Sequence, residues 1–159
     1  MNISVEYLKN LNYSEPNAVR FALFKSFGDL AIACPTYFFA KLFSQVSDPK
    51  TNTFLYELTH SSNGKQFEDS LGVIHSADLA FVFGAPLLTP TATEEDRQFS
   101  AVVMKYWTDF AKYGKPSKEW SPMMTNSTVF AKNLNPNKSL SESHFYYVCE
   151  LFWRKYFIN

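Results

Sequence analysis

The strand and helix signals in this 159-residue chain predict a mixed α/β architecture. Three stretches carry that expectation. Thr53 to His60 alternates in character and is rich in β-forming residues, so it is the best strand. Leu30 to Phe43 is a run that reads as a helix behind Gly28-Asp29. In Thr93 to Tyr113, Phe99, Val102, Val103, Tyr106, Trp107 and Phe110 recur at spacings of three and four, which gathers them on one helical face. The length is that of one domain, and 46% hydrophobic residues suffice for a core.

Each element follows from local chemistry. Val5 to Leu11 suits a helical turn or two, and Ser14-Glu15-Pro16-Asn17 reads as a turn or helix start. Apolar positions 19, 21, 23, 24 and 27 make Ala18 to Phe27 an amphipathic helix. Asp29 stands where its side chain can cap the helix from Leu30, and Pro35 falls in the first two turns, where proline costs less than in a helix middle. Ser47 to Lys50 is a turn, and Ser61 to Lys65 is a polar loop around Asn63-Gly64. His60 reads as a solvated strand end. Asp78 to Phe83 is a helical turn stopped at Gly84, and Pro86 and Pro90 bracket a loop. Thr93 caps the next helix, Glu94, Glu95 and Asp96 suit the positive end of its dipole, and Gly114 stops it. Residues 115–127 read as a polar connection and Thr128 to Ala131 as a short edge strand. Asn133 to Ser139 reads as a turn-rich loop, and Ser141 to Phe157 as a terminal aromatic helix.

Charge narrows the function classes. Fifteen Lys and Arg balance fifteen Asp and Glu, which argues against nucleic acid or a polybasic membrane surface as partner. No apolar run approaches the ~20 residues of a membrane span. Met1-Asn2-Ile3-Ser4 lacks the basic start and apolar core of a signal peptide. Two cysteines allow one disulfide or none. Sequons at Asn2, Asn12, Asn126 and Asn137 are candidate glycosylation sites.

The candidate catalytic residue is His75, in a short polar window between Gly72 and an apolar run. Imidazole titrates near neutrality, so it can take a proton and return it within one turnover. Gly72-Val73-Ile74-His75, Asp78 and Phe81-Val82-Phe83-Gly84 resemble the segment that carries the catalytic histidine in the type-B carboxylesterase and cholinesterase family. Tyr106-Trp107-Thr108-Asp109-Phe110-Ala111-Lys112-Tyr113-Gly114-Lys115-Pro116 resembles a signature that follows that histidine. The resemblance implies an α/β-hydrolase fold, of which this chain would be the incomplete C-terminal part, residues 1–159 of a single domain with no second domain. It implies a triad in the order serine, acid, histidine, with His75 last.

The resemblance has further consequences. The contexts of Cys34-Pro35 and Val148-Cys149-Glu150-Leu151-Phe152-Trp153 are similar to the two halves of a family disulfide, which implies a Cys34–Cys149 bridge and an oxidising compartment. Asp29 is not expected to be the triad acid, which the family supplies upstream. A nucleophile elbow needs Gly-x-Ser-x-Gly, yet none of the five glycines stand four apart. A histidine with no serine to deprotonate has no acyl transfer to perform, so the chain alone is expected to be inactive and, with large apolar faces uncovered, prone to aggregate or only partly ordered. Family cholinesterases place Trp and Tyr beside the choline pocket at the positions of Phe67 and Ala77. Their replacement weakens cation–π attraction and favours a general small-molecule ester substrate. No cofactor and no metal are expected. The same family includes neuroligin- and neurotactin-type adhesion proteins, so the alternative is a non-catalytic protein with a cell-surface partner, or a cholinesterase proper. Family membership also makes a homodimer and an extracellular location expectations.

Overall fold

The computed structural model of the chain describes residues 2–48, 50–62, 71–125, 128–137 and 145–158. They fall into two compact units, one comprising residues 2–39, 71–72 and 145–158, the other residues 40–62, 73–125 and 128–137.

The first unit is helical. Helix α1, Ile3–Leu8, starts at Asn2, whose side chain accepts from the Ser4 N–H. Helix α2, Pro16–Gly28, has its proline in the first turn, where no backbone donor is missed. The chain then stays helical where the sequence suggests a break. A π-helical stretch, Asp29–Ala33, joins α2 directly to α3, Cys34–Val46. Asp29 therefore does not cap a new helix: its backbone is helical, at φ −65° and ψ −40°. Its buried carboxylate instead accepts from Lys25 Nζ at 2.7 and 2.8 Å and from Tyr7 Oη at 2.8 Å. The wide π turn lies just before Pro35, whose ring would crowd the carbonyl four residues back in a regular α-helix. The chain ends in a second π-helical stretch, Tyr146–Trp153, and α7, Arg154–Phe157. Residues 141–144 of the expected terminal helix lie outside the described residues.

Cys34 and Cys149 are joined by a disulfide, with Cα atoms 5.2 Å apart and both residues fully buried. Each marks a π-type bond: the Cys34 N–H donates to Asp29 O, and the Arg154 N–H to Cys149 O. Tyr37 Oη donates to Glu150 Oε1 at 2.9 Å, and Trp153 Nε1 to Tyr7 Oη at 2.6 Å. Tyr37, Phe38, Phe145, Phe152 and Trp153 bury the aromatic core of this unit.

In the second unit, the extended run from Thr53 forms strand β1, Tyr56–Leu58. It pairs in parallel with β4, Lys132–Leu134, in the register Tyr56 to Lys132, Glu57 to Asn133 and Leu58 to Leu134. Bonds from Lys132 N to Leu55 O and from Thr59 N to Leu134 O extend the ladder at both ends. Strand β4 falls partly in the stretch read as a turn-rich loop. Lys-Asn-Leu has no β-branched residue, so only pairing along β1 makes it a strand. Strands β2, Met124–Thr125, and β3, Thr128–Val129, form an antiparallel pair.

Beyond the last turns of α3, this unit holds α4, Asp78–Val82, α5, Ala85–Leu88, and α6, Glu94–Tyr113. Helix α5 replaces the expected loop at Pro86. Gly84, at φ +74°, lets the chain end α4 and restart at once, with Pro86 in the first turn of α5. Helix α6 is bounded as its sequence predicts: Thr93 Oγ1 accepts from the Asp96 N–H, and Gly114 is left-handed at φ +69°. Phe81, Phe99, Val103, Trp120 and Leu134 make the core, with Phe54, Tyr56, Tyr106 and Trp107 packed against it. Val102 and Phe110 are exposed, so the buried face of α6 is narrower than its apolar stripe.

Candidate functional site

His75 occupies an exposed turn between Ile74 and α4. The Ala77 N–H donates to Ile74 O and the Leu79 N–H to Ser76 O, so the turn closes on itself around the histidine. Ser76 is left-handed at φ +67°, a conformation costly for a non-glycine residue and kept only where neighbours enforce it. Among the described residues the imidazole has no hydrogen-bond partner.

Helix α4 anchors that turn from two sides. Tyr56 Oη, on β1, donates to Asp78 Oδ2 at 2.6 Å. Burial, and then the bonded carboxylate, push the Tyr56 hydroxyl far above the ordinary phenol range, so it stays a donor. On α6, buried Ser100 Oγ donates to Phe81 O at 2.8 Å. The turn is thus followed by a helix tied to β1 and to α6.

A second histidine behaves unlike the solvated strand end expected of it. His60 is only 8% exposed, and its Nε2 donates to Asp96 Oδ1 at 2.7 Å. Ser62 Oγ donates to the other oxygen, Oδ2, at 2.9 Å. Burial would raise the Asp96 carboxyl, but the bonds with His60, Ser62 and Thr93 outweigh it, and the group is held below the ordinary carboxylate range. His60, Asp96 and Ser62 have the composition of a hydrolytic triad without its connectivity. Both histidine and serine donate to the carboxylate, and the histidine does not receive the serine proton, so no nucleophile is activated here. The His60 ring lies edge-on to Phe99 and tilted against Phe81, with centroids 5.1 and 5.6 Å apart.

A groove of about 580 Å³ runs between α6 and β4, lined by Phe99, Val102, Tyr106, Lys132, Asn135 and Asn137, among others. His75 is not among its lining residues.

The chain matches the model of the carboxylesterase family over residues 1–149. It belongs to that family. It is 34% identical to a cholinesterase of Mus musculus over 158 residues, which is 95% of this chain and 26% of that protein. It is 35% identical to carboxylesterase 3B of Mus musculus over 127 residues, 74% of this chain and 21% of that protein. It is 28% identical to acetylcholinesterase-1 of Trittame loki over 157 residues, 95% of this chain and 27% of that protein. The chain thus spans about a quarter of the length of these relatives. Membership implies an α/β-hydrolase fold, and one parallel strand pair with surrounding helices is consistent with part of it.

Of the residues singled out in sequence, Cys34 and Cys149 are brought together, and His75 stands on its exposed turn. Asn2, Asn12 and Asn137 are exposed, while Asn126 and Phe67 lie outside the described residues. Sequence reasoning missed the partnership of His60 with Asp96. A signal was present: Asp96, Phe99, Ser100 and Val103 stand at i, i+3, i+4 and i+7, and all four are buried. The carboxylate thus shares the core-facing stripe rather than the solvated first turn.

Proposed function

We propose that this chain is the C-terminal portion of a single serine carboxylic-ester hydrolase domain, and that His75 is its general base and acid. The observation that carries the reading is an exposed imidazole on an anchored turn, in a chain that matches the carboxylesterase family over residues 1–149. The serine and the triad acid would come from sequence outside these residues, so the chain alone would be inactive. His75 would take the serine proton as Oγ adds to the ester carbonyl, then give it to the departing alcohol. It would next take a proton from the water that adds to the acyl-enzyme, and return it to serine as the acid leaves.

Relatives named cholinesterase and acetylcholinesterase-1 favour a second reading, a choline-ester substrate. Ala77 speaks against it, since a small aliphatic residue offers no π face to a quaternary ammonium. We therefore favour an uncharged carboxylic ester. The disulfide and the exposed sequon residues Asn2, Asn12 and Asn137 support a secreted or cell-surface location.

The test is His75→Ala in the longer protein that carries this chain, assayed on a short-chain aryl ester. A loss in kcat of at least about 10⁴-fold is expected, because triad members act as a unit. The side chain is exposed, so the melting temperature should hold. Hydrolysis at the wild-type rate would overturn the assignment. Comparing butyrate esters with and without a quaternary ammonium decides between the two substrate classes.

A further inference from the structure

The buried group of His60, Asp96 and Ser62 has no part in the proton transfers assigned to His75. Stability alone is a weak reason for it, because well-packed apolar residues often replace a buried ion pair without loss. Its geometry supplies another reason. Asp96 fixes the His60 ring, and that ring bears on Phe81 and Phe99, which also touch each other at a centroid distance of 4.9 Å. Phe81 lies three residues into α4, and its carbonyl is held by Ser100, one helical turn beyond Asp96 on α6. At the start of the same helix Tyr56 holds Asp78, three residues after His75. Helix α4 is only five residues long, so its position is set by these side-chain ties rather than by its own hydrogen bonds.

We infer that His60 and Asp96 are positioning residues for His75: the buried pair sets how deeply Phe81 seats, and so fixes α4 and the aim of the imidazole that precedes it. The inference rests on the reading of His75 as general base. Asp96 matters as a shaped anchor with two filled oxygens. Ser62 completes the anchor by occupying the oxygen that His60 leaves open.

The experiment uses the longer protein with Asp96→Asn, His60→Leu, His60→Gln and, in parallel, His75→Ala. Active sites are counted by the stoichiometry of a fluorophosphonate at completion, so kcat refers to folded, competent protein. Displacements near 1 Å can cost about 100-fold. Asp96→Asn and His60→Leu should therefore lower kcat per titrated site by roughly 10- to 100-fold, with KM within about twofold. His60→Gln keeps a donor for Asp96 and should recover part of the loss. If Asp96→Asn does not fold, Phe81→Leu carries the same readout, since it leaves the charge pair intact and loosens only its contact with α4. A wild-type kcat in all of these variants, whatever their melting temperatures, would overturn the inference while an inactive His75→Ala leaves the ester reading standing. An active His75→Ala would overturn both.

Discussion

Removing the Cys34–Cys149 bridge is the sharpest probe of the helical unit. The bond spans 115 residues. In the chain-entropy model, closing a loop of that length removes about 16 cal/mol/K from the unfolded chain, which is about 4.8 kcal/mol at 25 °C. Both half-cystines are fully buried, so Ala in their place adds a modest packing loss and no unsatisfied polar group. At roughly 2–4 °C per kcal/mol for a domain of this size, Cys34→Ala/Cys149→Ala should lower the melting temperature by about 10–20 °C. Hydrogen exchange in peptides covering residues 30–39 and 145–158 should rise with it, because the two half-cystines bring those segments together. The assay is thermal unfolding followed by exchange mass spectrometry under non-reducing conditions. A double variant that melts within about 2 °C of the oxidised protein would refute the reasoning. So would two free thiols in the unfolded, non-reduced wild type.

The remaining predictions concern the second unit. The Asp96 carboxyl is held below its ordinary range, so its stabilising contribution is present above about pH 3.9, the unfolded value, and is lost as pH falls through the lower folded value. Asp96→Asn should therefore flatten the fall in urea midpoint on the acid side, and curves for variant and wild type that run parallel there would contradict this. Gly84 and Gly114 both have positive φ; a Cβ on Gly84 would meet Met104 Sδ at 3.0 Å, whereas Gly114 faces open space. The thioether of Met104 can swing aside, so Gly84→Ala and Gly114→Ala should each cost about 1–2 kcal/mol from backbone strain, measured by urea unfolding. A much larger loss at Gly84 would show that Met104 cannot yield.

Much of this fold is legible in the sequence because its boundaries are made by local chemistry. Thr93 and Gly114 delimit α6 through a side-chain acceptor and a left-handed residue, and both can be read one residue at a time. The disulfide and the catalytic role proposed for His75 come from resemblance, not from spacing; only the disulfide is seen directly. What escaped is decided at a distance. Strand β4 exists because β1 pairs with it, and its own three residues carry no strand preference. Asp29 looks like a cap from its neighbours, but Tyr7, 22 residues away, and Lys25 draw its carboxylate inward while the backbone stays helical. His60 reads as solvated until Asp96, 36 residues on, supplies the charge that makes burial tolerable.

Two wide helical turns flank the cystine, one ending at Cys34 and one running through Cys149. Each accommodates a residue that a regular α-helix of the same rise would not, so everything beyond it is rotated by about 100°. The bridge is therefore sensitive to length as well as to composition. Shortening either turn by a single residue would keep both cysteines in the sequence yet swing one sulfur round the helix, away from its mate.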